Sequence, residues 1–215
     1  MAATQAVGSS TALPAIAKAN PYVGQAALEE FADCTLKVKG RRDLAVKLLA
    51  TFPQDPAYTK GLSALLRGQC VPKRVLVMSF QPDIMRLALY GALYRRDFAE
   101  NAVDEVKNAA PLNVATELVY GRGEVNKIYA TVRQVADCVV RARPHAVHDL
   151  VMAKAFSTEE GRMWPPLVAE LARCNQTDIE FKMQKVTLRG TLAEALYKVR
   201  TVYAPAAKAA SPANA

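Results

Sequence analysis

From Glu124 to Arg141 apolar side chains return every three or four residues: Val125, Ile128, Val132, Val135 and Val139 share one face, with Tyr129 and Ala136 beside them. That period suits an amphipathic α-helix. The same spacing marks Ala27–Val38 through Leu28, Phe31 and Ala32, and Arg42–Thr51 through Leu44, Leu48 and Leu49. It returns in Asp83–Arg96 through Ile84, Leu87, Ala88 and Leu93. Asp55-Pro56 offers an N-cap and a proline at the first helical position, so a further helix should run to Arg67 and stop at Gly68. Ser157-Thr158-Glu159-Glu160 resembles a capping box, and Pro165-Pro166 should break or restart the helix it opens. Thr191–Tyr203 closes the series with Leu192, Leu196 and Val199 inward. Alanine, the best helix former, is abundant throughout.

Only Val75-Leu76-Val77-Met78 has the β-branched look of a strand. With no partner strand it reads as a buried helical turn. No internal repeat stands out. The expectation is an all-α, two-lobed helical domain. Residues 1–20, rich in Ala, Ser and Thr, read as a flexible arm; 21–110 as a basic helical lobe; 111–203 as a second helical lobe; and 204–215, with Pro205 and Pro212, as a disordered tail.

The net charge is +8, and nearly all of it has one address. Between Lys37 and Arg96 stand twelve Lys/Arg against three acids, Asp43, Asp55 and Asp83. A basic region segregated in this way is the footprint expected of a protein that meets a polyanion. Arg67, Lys73 and Arg74 flank Gly68 and Pro72, so they should crowd one inter-helix turn and reach phosphate oxygens. Arg41-Arg42 and Arg95-Arg96 are two more basic pairs at predicted helix ends, suited to phosphate or to capping a helix dipole. Phe80, Tyr90 and Tyr94 could stack on bases; their helical spacing favours core packing.

Four widely spaced cysteines, Cys34, Cys70, Cys138 and Cys174, and no signal-peptide pattern suggest reduced thiols in an intracellular compartment. No apolar run is long enough to span a bilayer. His145 and His148, with Cys138 and Cys174, match no zinc spacing, so no metal or other cofactor is expected. Gly121-Arg122-Gly123 lacks the rest of a phosphate-binding loop, no nucleophile elbow occurs, and the adjacent acids Asp104/Glu105 and Glu159/Glu160 read as charge balance. A binding protein is expected, not an enzyme. Anionic membrane or protein partners are the alternative to nucleic acid for a basic helical scaffold of this kind.

The run Glu30-Phe31-Ala32, Arg41-Arg42 with Leu48-Leu49, Arg67-Gly68, Pro72-Lys73-Arg74 and Met78-Ser79 resembles the N-terminal lobe of phenuivirus and tenuivirus nucleocapsid proteins. Arg143-Pro144-His145 is similar to a later segment of that family, with Arg and Pro exchanged. Cys70-Val71 stand where the family often has a basic residue, and Met78 falls near another basic position. The resemblance implies a two-lobed helical nucleoprotein that coats genomic RNA, single-stranded before double-stranded, with Arg67, Lys73 and Arg74 on the backbone. It also implies homo-oligomerisation through the arm, with Leu13 and Ile16 docking on a neighbour, a viral polymerase as a further partner, and a place in the virion and host cytoplasm. A second resemblance is compositional, to the proline-alanine-serine-rich proteins that coat polymycovirus double-stranded RNA.

Overall fold

The computed structural model describes residues 21–53, 55–66, 70, 80–100, 103–113, 127–176 and 183–204. The fold is all-α, with no strand among the described residues. Among the described residues eight helices follow in order: α1 (Pro21–Lys37), α2 (Arg41–Leu49), α3 (Pro56–Leu66), α4 (Pro82–Phe98), α5 (Lys127–Ala142), α6 (Pro144–Met152), α7 (Thr158–Cys174) and α8 (Lys185–Lys198). A 3-10 turn (Asp104–Asn108) follows α4, and a π-helical turn (Val199–Tyr203) continues α8. Val75–Met78 and both chain ends lie outside the described residues.

The structure overturns the absence of a repeat. Ala32-Asp33-Cys34 on α1 returns as Ala136-Asp137-Cys138 on α5, 104 positions later. Ala92-Leu93-Tyr94-Arg95 on α4 returns as Ala195-Leu196-Tyr197-Lys198 on α8, 103 positions later. Helices α1–α4 and α5–α8 therefore form two like units. Two corresponding pairs pack alike, α1 on α4 as α5 on α8 and α2 on α3 as α6 on α7, while α6 packs on α8 and α5 on α7 more extensively than α2 on α4 and α1 on α3. The identities survive at scattered positions where packing or pairing demands them, so no continuous stretch advertises the duplication.

All four cysteines are paired, which corrects the reading of reduced thiols. Cys34 joins Cys70 and Cys138 joins Cys174, at Cα separations of 5.6 and 5.8 Å. Each bridge spans 36 residues and ties the first helix of a unit to the chain at the end of its third. Wide spacing in sequence concealed this, because the helical hairpin between each pair folds the chain back on itself. Two disulfides fit a protein that matures in an oxidising compartment.

α4 and α8 meet at the centre and run parallel. Leu87 lies against Gly190, the Tyr90 ring centroid is 5.9 Å from that of Tyr197, and the Arg200 guanidinium is 4.1 Å from the Phe98 centroid. A Cβ at Gly190 would sit 2.5 Å from that of Leu87, so the close approach requires glycine there. Leu89, Leu93, Leu192 and Leu196 are fully buried along this seam and belong to one core that continues into both units. Each such leucine contributes about 1.5–3 kcal/mol by leaving water.

Other expectations shift by local physics. Helix α7 runs through Pro165 and Pro166 without breaking. Each proline removes one helical hydrogen bond, and the carbonyls freed are those of Gly161 and Arg162, both exposed residues that water can serve. Ile128, expected inward, is 68% exposed, while Val135 and Val139 of the same expected face are buried together with Ala130, Arg133, Ala136 and Val140. Leu44 is likewise exposed while Leu48 and Leu49 are buried. The capping box holds in its first half: Ser157 Oγ accepts the Glu160 N–H at 3.1 Å. The Glu160 carboxylate accepts from Phe156 N–H instead of reaching back to Ser157.

Candidate nucleic-acid interface

The turn between α1 and α2 is built by Gly40, whose φ of +79° suits a residue without a Cβ. Around it Lys37, Lys39 and, on α2, Lys47 are exposed, with Arg41 half-exposed. Arg42 does not point away with them. It makes a bidentate pair with Asp97 on α4, Nε–Oδ1 3.1 Å and Nη2–Oδ2 2.6 Å. Arg96, the next residue back along α4, is exposed and donates to the Leu36 carbonyl at the end of α1. These two contacts draw the last turn of α4 onto the α1–α2 turn. Two basic pairs far apart in sequence, Arg41-Arg42 and Arg95-Arg96, thus come to one edge of the molecule.

Their members differ in what remains free. Arg95 turns towards α1, 2.9 Å from Asp33 and 3.6 Å from Glu29, and is only 16% exposed in its side chain. Arg42 is committed to Asp97. Arg41, Arg96, Lys37 and Lys39 keep their outward positions. Arg95 and Arg96 occupy the last turn of α4, where the helix dipole favours a cation. Arg41 and Arg42 occupy the first turn of α2, where it does not, so that end is balanced by Asp43 and Asp97. Arg67, Lys73 and Arg74 lie outside the described residues, as do Leu13, Ile16 and Gly121–Gly123. Beside the basic side chains, Val38, Leu44 and Val46 are exposed apolar groups, 43%, 46% and 39%.

Tyr90 and Tyr94 fill the core and are closed to bases. Tyr90 O–H donates to the Leu49 carbonyl at 3.2 Å, and Tyr94 O–H lies 2.7 Å from His148 Nδ1. Burial lowers the His148 pKa, so its ring is neutral at pH 7. His145 is exposed, 3.0 Å from Asp104. With Cys138 and Cys174 in a disulfide, no thiolate is left to join these histidines at a metal.

Sequence reasoning missed the buried charges. Arg86 on α4 donates to the carbonyls of Thr51 (2.6 Å) and Leu49 (3.0 Å), the orphan acceptors at the end of α2. Arg189, its counterpart on α8, donates to Ala153 (2.6 Å) and Val151 (3.2 Å) at the end of α6. Glu194 lies 3.4 Å from Arg86 and accepts from Tyr129 at 2.7 Å. Burial alone would raise the Glu194 carboxyl, but Arg86, Lys198 and Arg133 outweigh it and hold its pKa down to about 2. Burial and Glu194 together push the Tyr129 phenol far up. A signal existed: Arg86 precedes Leu89 and Leu93 by three and seven, as Arg189 precedes Leu192 and Leu196, so both fall on apolar faces. Glu194 is closed to any substrate, so this cluster organises helix ends.

The architecture defines a class: a duplicated four-helix unit, each copy closed by a disulfide and joined to the other through its fourth helix. No protein-family model, curated protein or solved structure matches this chain.

Proposed function

We propose that the chain is a binding protein, not an enzyme, and that it holds RNA through the edge made by the α1–α2 turn and the end of α4. One observation carries the reading: Arg42–Asp97 and Arg96–Leu36 gather two distant basic pairs beside Lys37 and Lys39. These cations neutralise phosphate but offer no set of groups for reading base edges, so binding is independent of sequence. The resemblance to nucleocapsid proteins extends the reading to a coat that assembles along RNA, with Leu13 and Ile16 tethering neighbours. Virion, host cytoplasm and a viral polymerase partner belong to that extension. The two disulfides weigh against its cytoplasmic part.

The test is titration of labelled single- and double-stranded RNA at 50 and 200 mM salt. Four phosphate contacts give a slope of about −3 in log affinity against log salt on single strands. Replacing Lys37, Lys39, Arg41 and Arg96 together by alanine should weaken binding at least tenfold. Absence of binding at low salt overturns the proposal.

Exposed Val38, Leu44 and Val46 among the same cations favour a second reading, docking on an anionic membrane surface. No described helix is long and apolar enough to cross a membrane. Flotation with vesicles of anionic and of neutral lipid separates the two readings. Co-flotation with anionic vesicles alone, lost in the fourfold variant and without RNA binding, selects the membrane.

A further inference from the structure

The two units are alike enough for one to show what the other lacks. Phe31 on α1 and Val135 on α5 each stand one place before the shared Ala-Asp-Cys, 104 positions apart. Phe80 and Met183 correspond in the same way, 103 positions apart, each one place before the glutamine that precedes α4 or α8. In the first unit these two positions hold a pair of rings, the Phe31 and Phe80 centroids 6.4 Å apart. In the second unit they hold valine and methionine. Val135 and Met183 both line a cavity of about 280 Å³ bordered by α5, α7 and α8.

The chemistry of the wall narrows what can enter. Val132, Val168, Leu171 and Leu188 make most of the remainder, and no charged side chain is among the described residues that line it. Of its two polar residues, Asn175 and Thr191, the second already donates its hydroxyl to the Thr187 carbonyl at 2.8 Å. Val168, 55% exposed, and Ala172, also exposed, put the mouth on the outer side of α7. Water gains little in such a space, because it needs several polar partners. An ion would lose its hydration with no opposite charge to replace it. An apolar guest restores the contacts that a packed interior makes.

We propose that this cavity binds a small uncharged aromatic molecule, whose ring stands against Val135 and Met183 where the first unit supplies rings of its own. The site shares no residue with the basic edge, and neither proposal rests on the other.

Met183 lies in the wall and reports on the site directly. The full chain, with isotope-labelled methionine methyls, is titrated with toluene and followed by NMR, the Met183 signal being identified by its loss in Met183→Leu. A saturable ring-current shift of that methyl is expected. Benzoate, which keeps the ring and adds a charge, should bind at least tenfold more weakly. Val135→Phe combined with Met183→Phe rebuilds the ring pair of the first unit, and calorimetry should find toluene binding lost. Ala172→Leu narrows the same cavity from its exposed rim and should weaken toluene several-fold; it decides the matter if the double variant fails to fold. Circular dichroism melts verify folding of each variant. No saturable shift at Met183, benzoate bound as tightly as toluene, or unchanged toluene affinity in a folded, filled variant overturns the proposal.

Discussion

In the first unit a guanidinium on α4, Arg86, ties down the end of α2; in the second a guanidinium on α8, Arg189, ties down the end of α6. Their counter-charges differ. Arg86 is neutralised from the other unit, by Glu194, which is fully buried. Arg189 is neutralised by Glu160 of its own unit and by Glu29, which keeps 17% of its side chain exposed. Glu194 stands where α4 has Gly91, and Gly190 stands where α4 has Leu87. The two fourth helices thus keep the device that caps a neighbour and diverge at the seam between them. Backbone satisfaction was held fixed, and the contact between copies became asymmetric.

The strongest test of that contrast is to remove each arginine. Arg86→Ala leaves Glu194 buried with its nearest guanidinium gone, and should cost about 3–5 kcal/mol in urea unfolding. Arg189→Ala should fall at the low end of that range, because Glu29 can turn to water and Glu160, though buried, keeps the Phe156 N–H. Equal losses would break the comparison. The disulfides should show the opposite, equality. Each closes a span of 36 residues, so removing Cys34 and Cys70 or Cys138 and Cys174 as alanine pairs should each cost about 3–4 kcal/mol. A marked difference would locate the more stable unit.

Acid should strike the seam next. The Glu194 pKa is depressed in the fold, so its stabilisation is complete above the ordinary carboxylate range and lost as pH falls towards 2. About 3 kcal/mol is at stake, since each tenfold change in proton affinity is worth roughly 1.4 kcal/mol. Thermal melts between pH 5 and 2 should show the decline, and Glu194→Gln should flatten it. The smallest effect belongs to the glycines. Gly190→Ala drives a Cβ into Leu87 and should cost about 1–3 kcal/mol. Gly91→Ala meets only the tip of Arg95, at 3.4 Å, and should be neutral or gain up to about 1 kcal/mol of helix propensity. Chemical denaturation of the two variants checks both.

Helix identity was legible from apolar spacing, because each amphipathic face meets a core that selects for it. Proline at α7 misled, since the cost of a lost hydrogen bond depends on whether water can replace it, and sequence does not show which carbonyls are wet. The arginines at the α1–α2 turn were legible as a charge excess. Their convergence was not, because it depends on Asp97 and the Leu36 carbonyl, neither of which carries a motif. Arg86, Arg189 and Glu194 were overlooked for a related reason: a charged residue on an apolar face is usually assumed to reach solvent, and here helix ends and opposite charges take solvent's place.

The two bridges also determine how the chain would respond to a pull on its ends. Each turns 36 residues into a closed ring that force cannot extend, with α4 and α8 outside both rings. At roughly 3.5 Å per extended residue, each ring conceals about 125 Å of length. A stretched molecule should therefore lengthen fully only after reduction, in two discrete steps of the same size.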